Sequence, residues 1–345
     1  MKEPGLKEVL LLTALTYACF IGFILIFKSY SEAILGFGDS GSYIQIAAAI
    51  RHWDFQGIAV KHFWGLPYLV ATVSGLARVR EIEALIAVSV AASVVSVILA
   101  YKIWGGWVAA FFSLLNFPWI QFTLLGGSEP LFMALLLGAW MLFRRKRYVW
   151  AVILSSLATV VRPVGILAVI SFGIVMLFRR EYGQLAISTL ASVAIAVCYV
   201  MPFWLYFGDP LANMHTYQSL DWSGALVSWP FLAILAGSGH APITNLLLNW
   251  GWILFVCFGS WAYLRKSEAS AERLFVALYV AFLFTYNSPR WAYADFVRFA
   301  IPIVPFTVVG LKDWLPTRQA VLVSLSVVSG VLAAASAVGI RNVLH

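Results

Sequence analysis

The chain has 345 residues, of which 62% are hydrophobic and only 11% are charged, against roughly a quarter charged in a soluble domain. This composition excludes soluble enzymes, disordered chains, secreted disulfide scaffolds and nucleic-acid-binding modules, because a soluble fold could not cover so much apolar surface. It indicates an all-α, multi-pass integral membrane protein, and the even hydrophobicity predicts a single membrane domain over residues 1–345. The formal net charge of +8 is expected to report membrane orientation, since Lys and Arg collect in cytoplasmic loops.

Apolar segments bounded by charges or by Pro and Gly predict about eleven membrane-spanning helices. In chain order these segments are 9–27, 82–101, 104–122, 130–143, 148–161, 164–178, 185–207, 243–264, 272–287, 299–311 and 319–339. One further apolar stretch, 62–77, is predicted to stay on the outer side as an interfacial or re-entrant helix. If it crossed, the basic run Arg144–Arg147 would lie outside, against the positive-inside rule. With a cytoplasmic N-terminus, the whole excess of positive charge falls on the cytoplasmic side.

The two longest loops, 28–81 and 207–242, both fall on the outer, non-cytoplasmic side in this arrangement. Ionisable side chains are also concentrated there, and such groups are costly at a membrane boundary unless they are solvated or used. They are Asp39, His52, Asp54, His62, Glu129, Arg162, Asp209, His215, Asp221, His240, Arg290, Asp295 and Arg298. This one-sided distribution predicts that binding or chemistry takes place at the outer face.

The first outer loop contains an acid between two glycines, Asp39, followed by a predicted helix over 40–53. One stripe of that helix is expected to lie in the membrane interface: Tyr43, Ile46, Ile50 and Trp53. Two interpretations of Asp39 stay open. It is a general base that deprotonates an acceptor hydroxyl, or it is the N-cap of the helix, a position that Asp favours.

The turn Gly126-Gly127-Ser128-Glu129-Pro130 joins two predicted spans at the outer face. Ser128 suits an N-cap and Pro130 a first helical turn, so that Glu129 would complement the helix dipole. The alternative is that Glu129 is a second acid of the site, which orients substrate or helps to hold a metal ion.

Two arginines border the outer face, Arg162 before a helix-breaking proline and Arg298 before the last pair of spans. A guanidinium group matches the oxygens of a phosphate, so both are candidate phosphate ligands. Lipid anchoring, or pairing of Arg298 with Asp295, is the alternative. The histidines lack metal-site spacing, and the chain contains no Walker, zinc, nucleophile-elbow or dinucleotide-binding motif.

Taken together and in this order, these motifs resemble the GT-C superfamily of integral-membrane glycosyltransferases, especially its mannosyltransferase-like members. After the first span, the resemblance is carried by the segments 38–43, His62–Tyr68 (His-aromatic-x-Gly-x-Pro-Tyr), 126–132, Arg162-Pro163-Val164-Gly165 and Arg298-Phe299-x-x-Pro302-x-x-Pro305. The matched order covers most of the chain and ends in the span 299–311.

The resemblance implies a GT-C-like fold with interfacial helices in the first outer loop. It also implies a polyprenyl-phosphate sugar donor, a lipid, glycan or protein acceptor and inversion at the anomeric carbon, with membrane lipids as further partners. Asp39 would be the catalytic base. The side chains expected to bind substrate are Tyr43, Asp54, His62, Glu129, Arg162 and Arg298. Ser40 stands where many relatives have a second acid, so no cofactor is firmly implied and a divalent metal stays open.

Two other functions remain as alternatives. A flippase or transporter of a lipid-linked sugar should carry polar side chains near the middle of the bilayer, whereas the predicted spans are nearly free of ionisable groups. A non-catalytic assembly or sensor protein should tolerate replacement of Asp39, Glu129 and Arg298. In the transferase interpretation, the aromatic side chains of loop 207–242 could stack on sugar rings: Tyr217, Trp222 and Trp229.

Overall fold

The computed structural model describes residues 3–58, 60, 62–219, 227–238, 243–268, 270–287, 296–316 and 318–338. Over these residues the protein is all-α, as the composition predicts. The helices are α1 (Leu6–Phe27), α2 (Tyr30–Leu35), α3 (Ser40–His52), α4 (Gly65–Ala77), α5 (Glu81–Trp104), α6 (Gly106–Leu115), α7 (Phe117–Leu125), α8 (Glu129–Arg144), α9 (Tyr148–Val161), α10 (Ile166–Phe178), α11 (Tyr182–Phe207), α12 (Ala212–Ser219), α13 (Leu232–Ser238), α14 (Ile243–Lys266), α15 (Ser270–Thr285), α16 (Phe296–Phe299), α17 (Val304–Leu311) and α18 (Gln319–Ala337).

Five described helices are long and apolar enough to cross a membrane: α1, α5, α11, α14 and α18. A sixth candidate is the pair α6 and α7, which are bent by 75° relative to each other. The remaining predicted spans coincide with helices shorter than the ~20 residues of a perpendicular crossing. The structure therefore supports a membrane protein, with five or six of the described helices long and apolar enough to span a bilayer, and the count of eleven stays a prediction.

The bend between α6 and α7 follows from the residues at the junction. Asn116 has extended backbone angles (φ −97°, ψ 106°), and Pro118 lies in the first turn of α7. Proline lacks the N–H that a continuous helix requires, so the chain restarts instead of continuing. The Asn116 side chain caps the new helix by accepting a hydrogen bond from the Trp119 backbone N–H at 3.0 Å. The segment 104–122, which the sequence predicts as a single span, is therefore divided between two helices.

Helix α8 lies at the centre of the packing, between α5 and α9. Its Trp140 is fully buried, with its ring against those of Phe172, Phe275 and Phe306. This aromatic cluster joins α8 to α10, α15 and α17 and forms the middle of the apolar core. Because the core fixes α8, it also fixes both ends of α8, where the charged clusters of the protein lie.

The segment 28–81, which the sequence predicts as the first outer loop, contains α2, α3 and α4, and α3 packs against α4. The helix predicted over 40–53 is confirmed as α3, and an apolar helix lies within 62–77 as α4. The expected orientation of α3 is wrong, however. Tyr43 and Ile46 are buried inside the protein, and Trp53 alone of the four stripe residues is exposed. The stripe packs within the protein because α4 covers it.

Candidate functional site

Four chain segments bring charged side chains to one place at the N-terminal end of α8. Asp39 occupies the N-cap position of α3, and Glu129 is the first residue of α8. Arg162 follows the last residue of α9, at the predicted proline break, and Arg298 lies in the short helix α16. All four residues were candidates from the sequence, where they lie up to 259 positions apart.

The turn between α7 and α8 positions Glu129. Gly126 ends α7 with φ +88°, a left-handed conformation that favours glycine. A Cβ atom at Gly127 would overlap the Phe122 side chain and lie 2.6 Å from Oε2 of Glu129. Glycine is therefore required here for close packing. On the other side, the Ser40 hydroxyl donates to the Leu125 carbonyl at 2.6 Å and ties the start of α3 to this turn.

Glu129 holds both arginines through a single oxygen atom. Its Oε1 accepts hydrogen bonds from Nη1 of Arg162 and from Nε of Arg298, the latter at 2.5 Å. The side chain is only 2% exposed, and Oε2 has no hydrogen-bond partner among the described residues. Ser128 is the predicted N-cap residue, but its side chain makes no capping bond. Glu129 is therefore primarily the counter-ion of two guanidinium groups, and its place at the helix start is secondary.

Arg298 bridges the two acids. Its Nη2 donates to Oδ2 of Asp39 at 3.0 Å, while its Nε contacts Glu129. The guanidinium carbon lies 4.2 Å from the centre of the Phe122 ring, and that of Arg162 lies 5.0 Å from the Phe299 ring. Aromatic faces attract cations, so both rings help to fix the guanidinium planes.

The backbone on either side of Arg298 is also fixed. The Asn116 side-chain amide donates to the Val297 carbonyl at 3.2 Å, and the Tyr279 hydroxyl donates to the Phe299 carbonyl at 2.8 Å. Asn116 lies at the junction of α6 and α7 and Tyr279 lies in α15, and both side chains are buried in the core. They hold the four-residue helix α16 in place, although so short a helix has little stability of its own.

Asp39 does not act as a helix cap. Its side chain makes no capping hydrogen bond and turns instead towards Arg298 and His62, whose Nδ1 lies 3.9 Å from Oδ1. Burial raises the pKa of Asp39, but the nearby charges of Arg298 and then His62 outweigh burial and hold this pKa below its ordinary value. The carboxylate is therefore ionised at neutral pH.

Tyr43 and His62 complete the wall around Asp39. Their rings meet edge to face with centroids 5.5 Å apart, and the Tyr43 hydroxyl donates to Oγ of Ser128 at 3.4 Å. Burial, followed by the charge of Asp39, raises the pKa of Tyr43. The phenol therefore remains protonated and keeps its role as a hydrogen-bond donor.

The site has an accessible layer and a buried layer. The Asp39 and Arg298 side chains are 29% and 18% exposed, whereas those of Arg162 and Glu129 are 10% and 2% exposed. A molecule that approaches from outside therefore meets a carboxylate beside a guanidinium. The charges beneath set the orientation of Arg298.

Asp54 is the one candidate that the described contacts do not join to this cluster. It is exposed, and its Oδ1 accepts from the Gln56 backbone N–H at 3.2 Å, within its own turn. Trp229 is exposed, while the side chain of Tyr217 and the residues Asp221, Trp222, His240, Arg290 and Asp295 lie outside the described residues. Within the described residues, no group of three or more His, Cys, Asp or Glu side chains could hold a metal ion.

Sequence reasoning did not single out three residues that shape the site: Asn116, Phe122 and Tyr279. All three lie in predicted spans and look like ordinary helix residues. A fourth, Phe299, stood in the Arg298-Phe299 motif, but no role was assigned to its ring. Comparison of the chain with protein-family models, with curated proteins and with solved structures gives no match. The GT-C resemblance accordingly rests on the ordered motifs alone.

Proposed function

We propose that the protein is a membrane glycosyltransferase that moves a sugar, with mannose the first candidate, from a polyprenyl-phosphate donor to an acceptor hydroxyl. The observation that carries the proposal is the contact of 3.0 Å between the Asp39 carboxylate and the Arg298 guanidinium in the accessible layer. Transfer from a lipid phosphate needs a base for the incoming hydroxyl and a cation for the departing phosphate. These two groups supply both functions side by side.

In this proposal Asp39 accepts the proton of the acceptor hydroxyl as the oxygen attacks the anomeric carbon. The bond from that carbon to the phosphate oxygen breaks, and its electron pair leaves with the phosphate. Arg298 stabilises the negative charge that grows on the leaving group. Attack opposite the leaving group inverts the anomeric configuration. No step is assigned to a metal ion.

Glu129 and Arg162 are assigned a supporting role. Glu129 is 2% exposed and already accepts from two guanidinium groups, so it is poorly suited to receive a proton from substrate. It instead fixes the direction of Arg298, and Arg162 supplies the second positive charge, so that two guanidinium groups balance the two carboxylates of the cluster. Tyr43 and His62 line the approach to Asp39 and are assigned to sugar or phosphate contacts.

The membrane arrangement belongs to the same proposal. Eleven crossings with a cytoplasmic N-terminus would place Asp39 and Arg298 at the non-cytoplasmic face, where the sugar phosphate of a flipped lipid donor lies. The charge distribution supports this orientation, since it assigns the whole formal charge of +8 to the cytoplasmic side. The acceptor could be a lipid, a glycan or a protein.

The test is a transfer assay with purified protein in lipid and a panel of radiolabelled polyprenyl-phosphate sugars. Asp39→Asn should abolish turnover while the protein still folds and inserts. Asp54→Asn is the matched control, because it makes the same change in the same loop at an exposed residue outside the cluster. Turnover by Asp39→Asn at the wild-type rate would remove Asp39 as the base. Flux of a lipid-linked sugar across the bilayer without a covalent product would replace the proposal by the transporter function.

A further inference from the structure

A second charged cavity lies at the other end of α8, about 22 Å from Glu129 at 1.5 Å per helical residue. It has a volume of about 370 Å³, and its walls include Trp104, Arg144, Tyr263 and Glu272. Its rim includes Lys266, Lys312 and Asp313. We call it the basic cavity. It forms where the ends of α5, α8, α14 and α17 meet the start of α15, so it opens at a membrane-boundary end of the bundle.

The inner wall of the basic cavity is electrically neutral. Arg144 donates from Nε and Nη2 to the two carboxylate oxygens of Glu272, at 2.6 and 3.0 Å, and the Tyr263 hydroxyl donates to the same carboxylate. Glu272 is 2% exposed. Its charge is fully matched, so this buried acid does not repel an anionic ligand.

The rim, in contrast, offers two ammonium groups. Nζ of Lys266 lies 2.7 Å from Asp313, but both side chains are more than half exposed, and exposed ion pairs of this kind contribute little. Lys312 forms no ion pair with any residue in the described part of the chain. A ligand phosphate could displace Asp313 at low cost and contact both lysines.

The remaining charges do not reverse this preference. Glu268 also lines the rim, so the lining side chains are balanced, three basic and three acidic. The flanking residues add positive charge, since Arg265 lies in the last turn of α14 and Arg273 in the first turn of α15, outside the lining itself. The wall adds a further hydrogen-bond donor, since the indole Nε1–H of Trp104 is buried without an acceptor among the described residues. If the indole rotated towards the cavity, its N–H could donate a hydrogen bond to an oxygen atom of the ligand. The cavity therefore favours an anion that is rich in acceptor oxygens.

We propose that the basic cavity binds the phosphate headgroup of an anionic membrane phospholipid, with Lys266 and Lys312 as its ligands. Basic recesses between transmembrane helices are suited to such headgroups, and the volume is within the range of specific ligand sites. The helices that form it are apolar, so acyl chains can lie against them while the phosphate enters the cavity. The site is distinct from the Asp39 cluster and is independent of the transferase proposal.

The experiment is native mass spectrometry of the detergent-solubilised protein, titrated with phosphatidylglycerol, with phosphatidylcholine and with inorganic phosphate. Phosphatidylglycerol should be retained at the lowest concentration. Each lysine near an anionic surface contributes roughly fivefold in affinity, so the double variant Lys266→Gln/Lys312→Gln should lose roughly thirtyfold. The control Lys146→Gln/Arg147→Gln removes two exposed positive charges from the neighbouring turn and should retain the lipid.

Three results would overturn the proposal. Equal retention of phosphatidylglycerol and phosphatidylcholine would mean that the cavity does not distinguish lipids by the charge of their headgroups. An equal loss in the control variant would mean general attraction to a basic surface. Inorganic phosphate bound at the two lysines without retention of phosphatidylglycerol would make the ligand a soluble phosphate instead of a lipid. Trp104→Phe keeps the ring beside Arg144 and removes the indole donor, so it should weaken phosphatidylglycerol alone.

Discussion

Replacement of Glu129 by Gln is the sharpest test of the charged cluster. The Glu129 carboxylate is 2% exposed and contacts Arg162 and Arg298, whose side chains are 10% and 18% exposed. Gln keeps the shape and one acceptor oxygen but removes the charge, so Asp39 alone would face two guanidinium groups. Removal of one member from a buried ion cluster typically costs about 3–5 kcal/mol, because the remaining charge is left uncompensated. We therefore expect Glu129→Gln to lower the free energy of unfolding by about that amount.

The matched control is Glu83→Gln, which makes the same change in an exposed pair. Glu83 lies 2.5 Å from Arg80, but the two side chains are 47% and 78% exposed. Water already solvates these charges, so the free energy of unfolding should hardly change. Both variants would be measured by reversible denaturation in mixed micelles, together with the sugar-transfer rate.

A second variant identifies the cause of the loss. Arg162→Gln in the Glu129→Gln background removes the uncompensated cation and should recover part of the lost free energy, as coupled neighbours do. An unchanged free energy of unfolding in Glu129→Gln, or a double variant that loses the full sum of the two single effects, would refute the buried counter-ion assignment. Glu129 would then be only a first-turn residue of α8.

Three further outcomes are expected. The lowered pKa of Asp39 keeps the base ionised. We therefore expect kcat/KM to stay level as the pH falls to about 4, near the ordinary pKa of Asp, and to decline only below that pH. Because Arg298 helps to lower this pKa, Arg298→Gln should move the decline to higher pH. Any stability that the Asp39–Arg298 pair contributes should likewise be present at neutral pH and lost only in acid, which denaturation at several pH values would measure. Arg298→Lys keeps the charge but loses the fork that reaches Asp39 and Glu129, so turnover should fall by roughly 10²-fold in the transfer assay. Gly127→Ala should lower the thermal unfolding temperature, because the added Cβ would overlap Phe122 and approach Glu129. Gly75→Ala is the control and should leave this temperature unchanged, because the space around Gly75 is open. Equal effects of the two variants would contradict the close packing of the turn at Gly127.

Local patterns predicted the parts of the structure that depend on neighbouring residues. The Ser128 cap position with Pro130 after it, the chain break at Arg162 and the helix after Asp39 all lie where the sequence indicates. Each depends on a proline or a short apolar period, which act within one or two helical turns. The orientation of α3 was missed because it depends on α4, which packs over the stripe expected to face the membrane.

The bend at Asn116 shows a similar limit. Hydropathy measures how apolar a segment is, and residues 104–122 are largely apolar, so the segment was predicted as one span. The structure divides it into two helices at 75°. The bend places the Asn116 amide against the Val297 carbonyl, beside Arg298. The bend at Asn116, which a hydropathy average does not detect, therefore helps to build the site.

The sequence by itself determined that this is an all-α membrane protein, because 62% hydrophobic composition spread over the whole chain is compatible with little else. It also determined which ionisable residues deserved attention, since charge is rare in such a chain. Only the tertiary structure decided that Asp39 and Glu129 meet Arg298, that Arg162 meets Glu129, and that Asp54 stays apart. Contacts between residues 169 and 259 positions apart are set by the packing of the helices between them, and no local period in the sequence encodes that packing.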